Sequence, residues 1–178
     1  MTTQSTDCAP VYHFSTEIRV RLPETDAMGV VFHGNYFTYL EVGRVDYLTN
    51  LDLCEGNRPI SEFENVVVSA HLDFKSPARL NEKLIIDVRT REIQNASFTF
   101  EFRIRHKARN RLVALGHTTH CAIDEEYRPI PVSDHFRDVI AAFEGWETYK
   151  LSQSSFLTQS RRWTLVLNPR NTKCIPPV

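Results

Sequence analysis

The residues of this chain that could do chemistry are concentrated in one stretch, Glu24 to Tyr36, which reads ETDAMGVVFHGNY. It supplies a carboxylate at Asp26, an imidazole at His33, and two glycines, Gly29 and Gly34, immediately before an apolar run. If that run is a helix, its first backbone N–H groups have no partners of their own and its macrodipole makes the end electropositive. Such an end can hold a developing oxyanion while a neighbouring carboxylate drives attack on a carbonyl. These are the parts that acyl transfer requires. The glycines suit a loop whose backbone must approach a ligand closely, where a Cβ would obstruct. Each residue also has an ordinary reading: Asp26 and the glycines as turn formers, His33 as a packed polar side chain or a proton carrier.

Flanking elements must position these residues, and the pattern shows which. Period-two alternation recurs over Phe14–Leu22, Val66–Phe74, Leu84–Arg91 and Phe98–Arg105, with a more apolar run from Leu112 to Ile123. These read as antiparallel strands with one face on a core. Ser76-Pro77, Gln94-Asn95 and Ala108-Arg109-Asn110 supply the turns of a meander. One strong helix is predicted from about Asn35 to Leu51. Tyr36, Phe37, Tyr39, Leu40, Val42, Val45, Tyr47 and Leu48 leave it almost no polar face, so a curved sheet is expected to wrap it. A second, amphipathic helix is expected near Ser133 to Phe143, with Ser133 as its N-cap. The pattern divides the chain into a flexible N-terminus (1–11), one domain (12–144) and a C-terminal extension (145–178) of irregular, partly disordered character.

Composition excludes several classes. A length of 178 residues allows one well-filled core, and a formal net charge of −1 gives no global field for nucleic acid. No apolar run approaches the ~20 residues of a membrane span. The opening MTTQSTDCAP lacks the basic and apolar regions of a secretion signal, so a cytoplasmic location is expected. The four cysteines are scattered without a Cys-x-x-Cys, and His117 and His120 are spaced to face opposite sides of a strand. No metal site is expected. Arg103, Arg105, Lys107, Arg109 and Arg111 form a basic stripe. It reads first as a solvated face, then as a landing site for phosphates, and last as an RNA surface, for which interleaved aromatics are missing.

One strand, a long helix and then four strands is the element order of the hotdog fold, an α+β architecture. The run from Asp26 to Tyr36, followed by Tyr39-Leu40-Glu41-Val42-Gly43-Arg44, closely resembles the signature of the 4-hydroxybenzoyl-CoA thioesterase family. It is most similar to the acyl-CoA thioesterase branch found beside bacterial cell-envelope genes. Ser76-Pro77-Ala78-Arg79 and Ala96-Ser97-Phe98 resemble that branch too. The resemblance implies an acyl-CoA thioesterase with Asp26 as catalytic carboxylate and an oxyanion-binding backbone N–H at about His33, whose side chain is a second catalytic candidate. Gly29, Val30, Gly34 and Tyr36 are then the substrate-binding candidates. It implies no cofactor, since coenzyme A is part of the substrate, and a homodimer or homotetramer with sites at the subunit interface. The chain departs from the family at Gln94-Asn95, where some members present arginines to the nucleotide. Glu41, whose counterpart on the helix is the catalyst of another branch, lacks that branch's motif. The tyrosines and phenylalanines accommodate aryl or short-to-medium fatty acyl groups. The alternatives are a non-catalytic hotdog protein that binds acyl-CoA or acyl carrier protein, and a hotdog dehydratase.

Overall fold

The structure is a computed structural model that describes residues 10–55, 58–60 and 62–146. Most of the expected N-terminal tail and, from residue 147 on, the expected C-terminal extension lie outside these residues. The chain runs through β1 (Phe14–Arg19), a 3-10 turn (Leu22–Glu24), α1 (Asn35–Asn50), β2 (Cys54–Glu55), β3 (Arg58–Pro59), β4 (Glu64–Phe74), β5 (Lys83–Ile93), β6 (Ser97–His106), β7 (Leu112–Ile123) and α2 (Asp134–Glu144). Five strands form one antiparallel sheet in the order β1-β5-β6-β7-β4. This is the hotdog arrangement, a curved sheet laid against one long helix. Strands β2 and β3 pair in a small hairpin after α1 and are too short for periodicity to reveal.

Alternation along β5 and β6 builds the core. Leu84, Ile86, Val88, Phe98, Phe100, Phe102 and Ile104 are buried against Tyr39, Leu40, Tyr47 and Leu48 of α1. The helix can lie close because it presents Gly43 to the sheet. A Cβ there would stand 2.8 Å from Ile86 Cγ2 and 3.0 Å from Val88 Cγ2. Where β5 shifts register between Thr90 and Glu92, the Thr90 N–H donates to Glu144 Oε1 at 2.8 Å, and the Tyr47 hydroxyl donates to the same oxygen at 2.6 Å. The last residue of α2 thus satisfies a donor that the sheet ladder does not, and burial raises the Glu144 carboxyl pKa. Ser133 caps α2 as expected, its Oγ accepting from Phe136 N at 3.1 Å, and Gly145 ends it in the left-handed region at φ +71°.

Two expectations need correction. Helix α1 is not enclosed along its whole length: Phe37 is 43% exposed and Val42 36%. Its main contacts are with β1 and β5, at one side of the sheet, so the flank toward β4 stays open. Strand β4 was expected to turn Val66, Val68, Ala70, Leu72 and Phe74 onto the core. Val68, Ala70 and Phe74 are instead exposed, as is Val67. Among the described residues β4 pairs only with β7 and forms the sheet's edge, and it slips register between Val67 and Ser69, which breaks the parity of its faces.

Candidate active site

Asp26 opens a tight turn within a narrow ribbon that runs from Glu24 to Phe32. Asp26 N donates to Val30 O and Phe32 N to Glu24 O, both at 2.9 Å, and the turn closes by Gly29 N donating to Asp26 O at 2.9 Å. Gly29 holds φ +71°, which an L side chain adopts at a cost of about 1–2 kcal/mol. Asp26 Oδ1 accepts from Met28 N at 2.8 Å and from Val30 N at 3.4 Å. This is the local bonding that favours Asp in turns. No described residue donates to Oδ2, so the half-buried carboxylate keeps one oxygen for other work.

The ribbon is bolted to its surroundings on two sides. Val31 N donates to Ala78 O at 2.9 Å and Val30 bridges Arg79, which brings Ser76-Pro77-Ala78-Arg79 beside the Asp26 turn. On the helix side, Asn35 Nδ2 donates to Glu24 O at 2.9 Å. Glu24 itself is buried, and its carboxylate accepts from the Tyr39 hydroxyl at 2.6 Å, from Arg21 N at 2.8 Å and from Arg21 Nε at 2.6 Å. Burial would raise the Glu24 carboxyl pKa, but these donors together hold it below its ordinary value. Sequence reasoning missed Glu24, Tyr39 and Asn35 as site-builders. Tyr39 read as one more apolar helix residue, and Glu24 carries no periodic signal.

Among the described residues, no side chain caps the entrance to α1. Gly34 stands at the N-cap with helical angles (φ −61°, ψ −31°). Asn35, Tyr36 and Phe37 direct their N–H groups back to the carbonyls of Phe32, His33 and Gly34 at 2.9, 3.3 and 3.2 Å. The His33 and Gly34 N–H groups have no partner among the described residues. A Cβ on Gly34 would meet the Phe32 ring at 2.9 Å, so glycine is what lets this ring close over the turn. The His33 side chain is exposed, and its ring lies against Phe32 with centroids 4.2 Å apart. Tyr36 is buried, edge-on to Tyr39 at 5.7 Å and Phe74 at 5.1 Å, and burial raises its hydroxyl pKa. Its hydroxyl lies beside the backbone of Ala78, the residue that pairs with Val31 of the ribbon.

The remaining candidates fall elsewhere. Arg103 and Arg105 both bind Asp87 Oδ2, at 2.8 and 2.7 Å, Lys107 pairs with Glu17, and Arg111 with Glu82 at 3.6 Å. Of the five stripe cations, only Arg109 has no acidic partner among the described residues. His117 stacks on His71 at 5.3 Å, whereas His120 stacks on Phe98 at 5.4 Å, so the two histidines do face opposite sides of β7. Among the described residues, no group of three or more His, Cys, Asp or Glu is placed to hold a metal ion. Glu41 is engaged by Arg44, whose Nε donates to it at 3.0 Å.

A family model described as the thioesterase-like superfamily matches residues 20–140. The chain belongs to that superfamily. It is 30% identical to the acyl-CoA thioesterase YbgC of Haemophilus influenzae over 92 residues, covering 51% of this chain and 68% of that one. A solved gentisyl-coenzyme A thioesterase superposes with a TM-score of 0.61 at 26% identity, covering 72% of this chain and 99% of that one. A DHNA-CoA thioesterase from Staphylococcus aureus superposes at 0.65 with 25% identity, covering 79% and 93%.

Proposed function

We propose that this protein hydrolyses an acyl-CoA thioester to coenzyme A and a carboxylic acid, with Asp26 as general base or nucleophile and the His33 and Gly34 N–H groups as the oxyanion site. The observation that carries the reading is the pair of N–H groups at the entrance of α1 that have no partner among the described residues. The Asn35–Glu24 bond fastens that entrance to the ribbon carrying a carboxylate with one oxygen unengaged. The acyl carbonyl oxygen lies against the two N–H groups as it gains charge. Asp26 either takes a proton from the attacking water, or attacks to give a mixed anhydride that water opens. In both routes the thiolate of coenzyme A leaves and is protonated. Gly29 and Val30 shape the floor of the turn, and Tyr36 backs the entrance.

The superfamily membership and the acyl-CoA thioesterases it resembles support coenzyme A as the carrier. A homodimer is supported by apolar surface that one copy leaves bare: Phe37 and Val42 on the open flank of α1, and Val67, Val68 and Phe74 on the edge strand β4. No described helix is long and apolar enough to cross a membrane. The test is thiol release across aromatic, short, medium and long acyl-CoAs, run with wild type and Asp26→Asn. Turnover by the wild type and its loss in the variant, with ligand binding retained, is the expected result. Binding without turnover in the wild type would make the protein an acyl-CoA binder, and equal turnover in both would remove Asp26 from the mechanism.

A further inference from the structure

Two open cavities lie at opposite ends of the sheet, and their charges differ. One borders the β5–β6 turn, with Ser69, Glu92, Gln94, Asn95 and Thr119 in its lining. That lining holds a carboxylate and no cation. The other, of about 590 Å³, lies between the β4–β5 connection and the β6–β7 turn, walled by residues 80–83 and 106–109. Its volume is that of an ordinary small-molecule pocket.

Positive charge at this second cavity exceeds what the neighbouring acids neutralise. Lys83 Nζ lies 2.9 Å from Glu17 Oε1, and Lys107 pairs with the same carboxylate. Glu82 is engaged by Arg111 at 3.6 Å, by His106 Nε2 at 3.7 Å and by the Arg79 N–H, which donates to it at 3.0 Å. Two carboxylates therefore serve Lys83, Lys107 and Arg111. The Arg79 and Arg109 guanidinium groups have no acidic partner among the described residues. Arg109 is exposed, but its backbone is tied to the cavity wall, its N–H donating to His106 Nδ1 at 3.2 Å. An arginine so placed is a ready partner for phosphate.

The cavity is joined to the candidate active site by continuous backbone. Val30 of the Asp26 turn bridges Arg79, and Arg79 Nη1 stands 4.0 Å from the point that a Cβ on Gly29 would occupy. Residues 80–83 run on from there into the cavity wall, a span of roughly 13 Å at most. Val20 fastens them: its N–H donates to Glu82 O at 2.9 Å and its carbonyl accepts from Asn81 N at 3.0 Å. This layout matches a ligand with a thioester at one end, phosphates at the other and a long neutral arm between.

We propose that the cavity walled by residues 80–83 and 106–109 takes the nucleotide end of coenzyme A, with Arg109 on its phosphates and Arg79 beside the arm that leads to the Asp26 turn. The assignment rests on the thioester hydrolase reading and adds where the carrier is gripped. Its test is kcat and KM for one acyl group carried on coenzyme A and on pantetheine, in wild type, Arg109→Ala and Asn95→Glu. Arg109→Ala raises KM for acyl-CoA by about tenfold, and the loss falls on KM because the nucleotide is held alike in the ground and transition states. The difference from wild type vanishes on acyl-pantetheine, which carries no phosphate. Asn95→Glu, at the other cavity, leaves KM where it was. A wild-type KM in Arg109→Ala, an equal loss on acyl-pantetheine, or a comparable rise in Asn95→Glu overturns the assignment. If no acyl-CoA is turned over, the hydrolase reading fails on its own, and calorimetric titration with adenosine 3′,5′-bisphosphate decides the cavity. Binding by wild type that Arg109→Ala weakens about tenfold upholds it. No binding, or binding that the variant retains, overturns it.

Discussion

The Tyr39 hydroxyl donates to Glu24 Oε2 at 2.6 Å and so joins the second turn of α1 to the start of the Asp26 ribbon. The helix entrance and the carboxylate turn are therefore held by one small polar anchor, of which Asn35 and Arg21 are the other parts. Tyr39→Phe keeps the ring and removes the donor to a buried carboxylate. The expected loss is about 1.5–3 kcal/mol of stability in urea titration, with a fall in kcat as the ribbon loosens. Because these donors depress the Glu24 carboxyl pKa, their contribution is present above the ordinary carboxylate range and is lost as pH falls through the lower folded value. The variant should differ least from wild type in strong acid.

Asp26→Asn should separate chemistry from architecture. The turn uses only Oδ1 as an acceptor, and an amide oxygen can take over both bonds. The melting temperature should stay near that of wild type while thiol release falls by roughly 10²–10⁴.

Gly43→Ala pits two effects of opposite sign against each other. Alanine in a helix interior gains about 1 kcal/mol over glycine. Here its Cβ would stand 2.8 Å from Ile86 Cγ2, closer than packed carbons tolerate, and overpacking costs about 1–3 kcal/mol. Overpacking wins, and the denaturation midpoint should fall.

His120 should make stability pH-dependent in a defined window. Burial, helped by the Arg44 guanidinium and opposed by Glu41, pushes its imidazole down from 6.5 to about 4. Above pH 6.5 the ring is neutral in both states. Below it the unfolded chain takes up a proton that the folded chain refuses, so stability declines. The decline ends near pH 4, where the folded ring also titrates, after a loss of roughly 3 kcal/mol. Urea midpoints at pH 7 and pH 5 should differ in wild type, and His120→Gln should flatten that part of the difference.

The sheet was legible wherever both faces of a strand obey one rule. Phe98, Phe100 and Phe102 alternate with Thr99, Glu101 and Arg103, and the three phenylalanines are buried as that pattern assigns, with Thr99 the exception on the other face. The edge strand was less legible: Val66 to Phe74 alternates in sequence, yet an edge position and a register slip leave most of it bare. Within the site, Asp26, Gly29 and Gly34 stood out because a turn and a helix start restrict residue type. Glu24 and Tyr39 did not. A buried acid and a hydroxyl that reads as apolar become visible only when tertiary packing sets them against one another.

The homodimer proposed above would tie performance to population, because pairing would cover Val67 and Phe74, each about half exposed in a single copy. Turnover per molecule should then sag as a stock is diluted step by step and recover when it is reconcentrated, so a rate quoted without the enzyme's molarity would be incomplete.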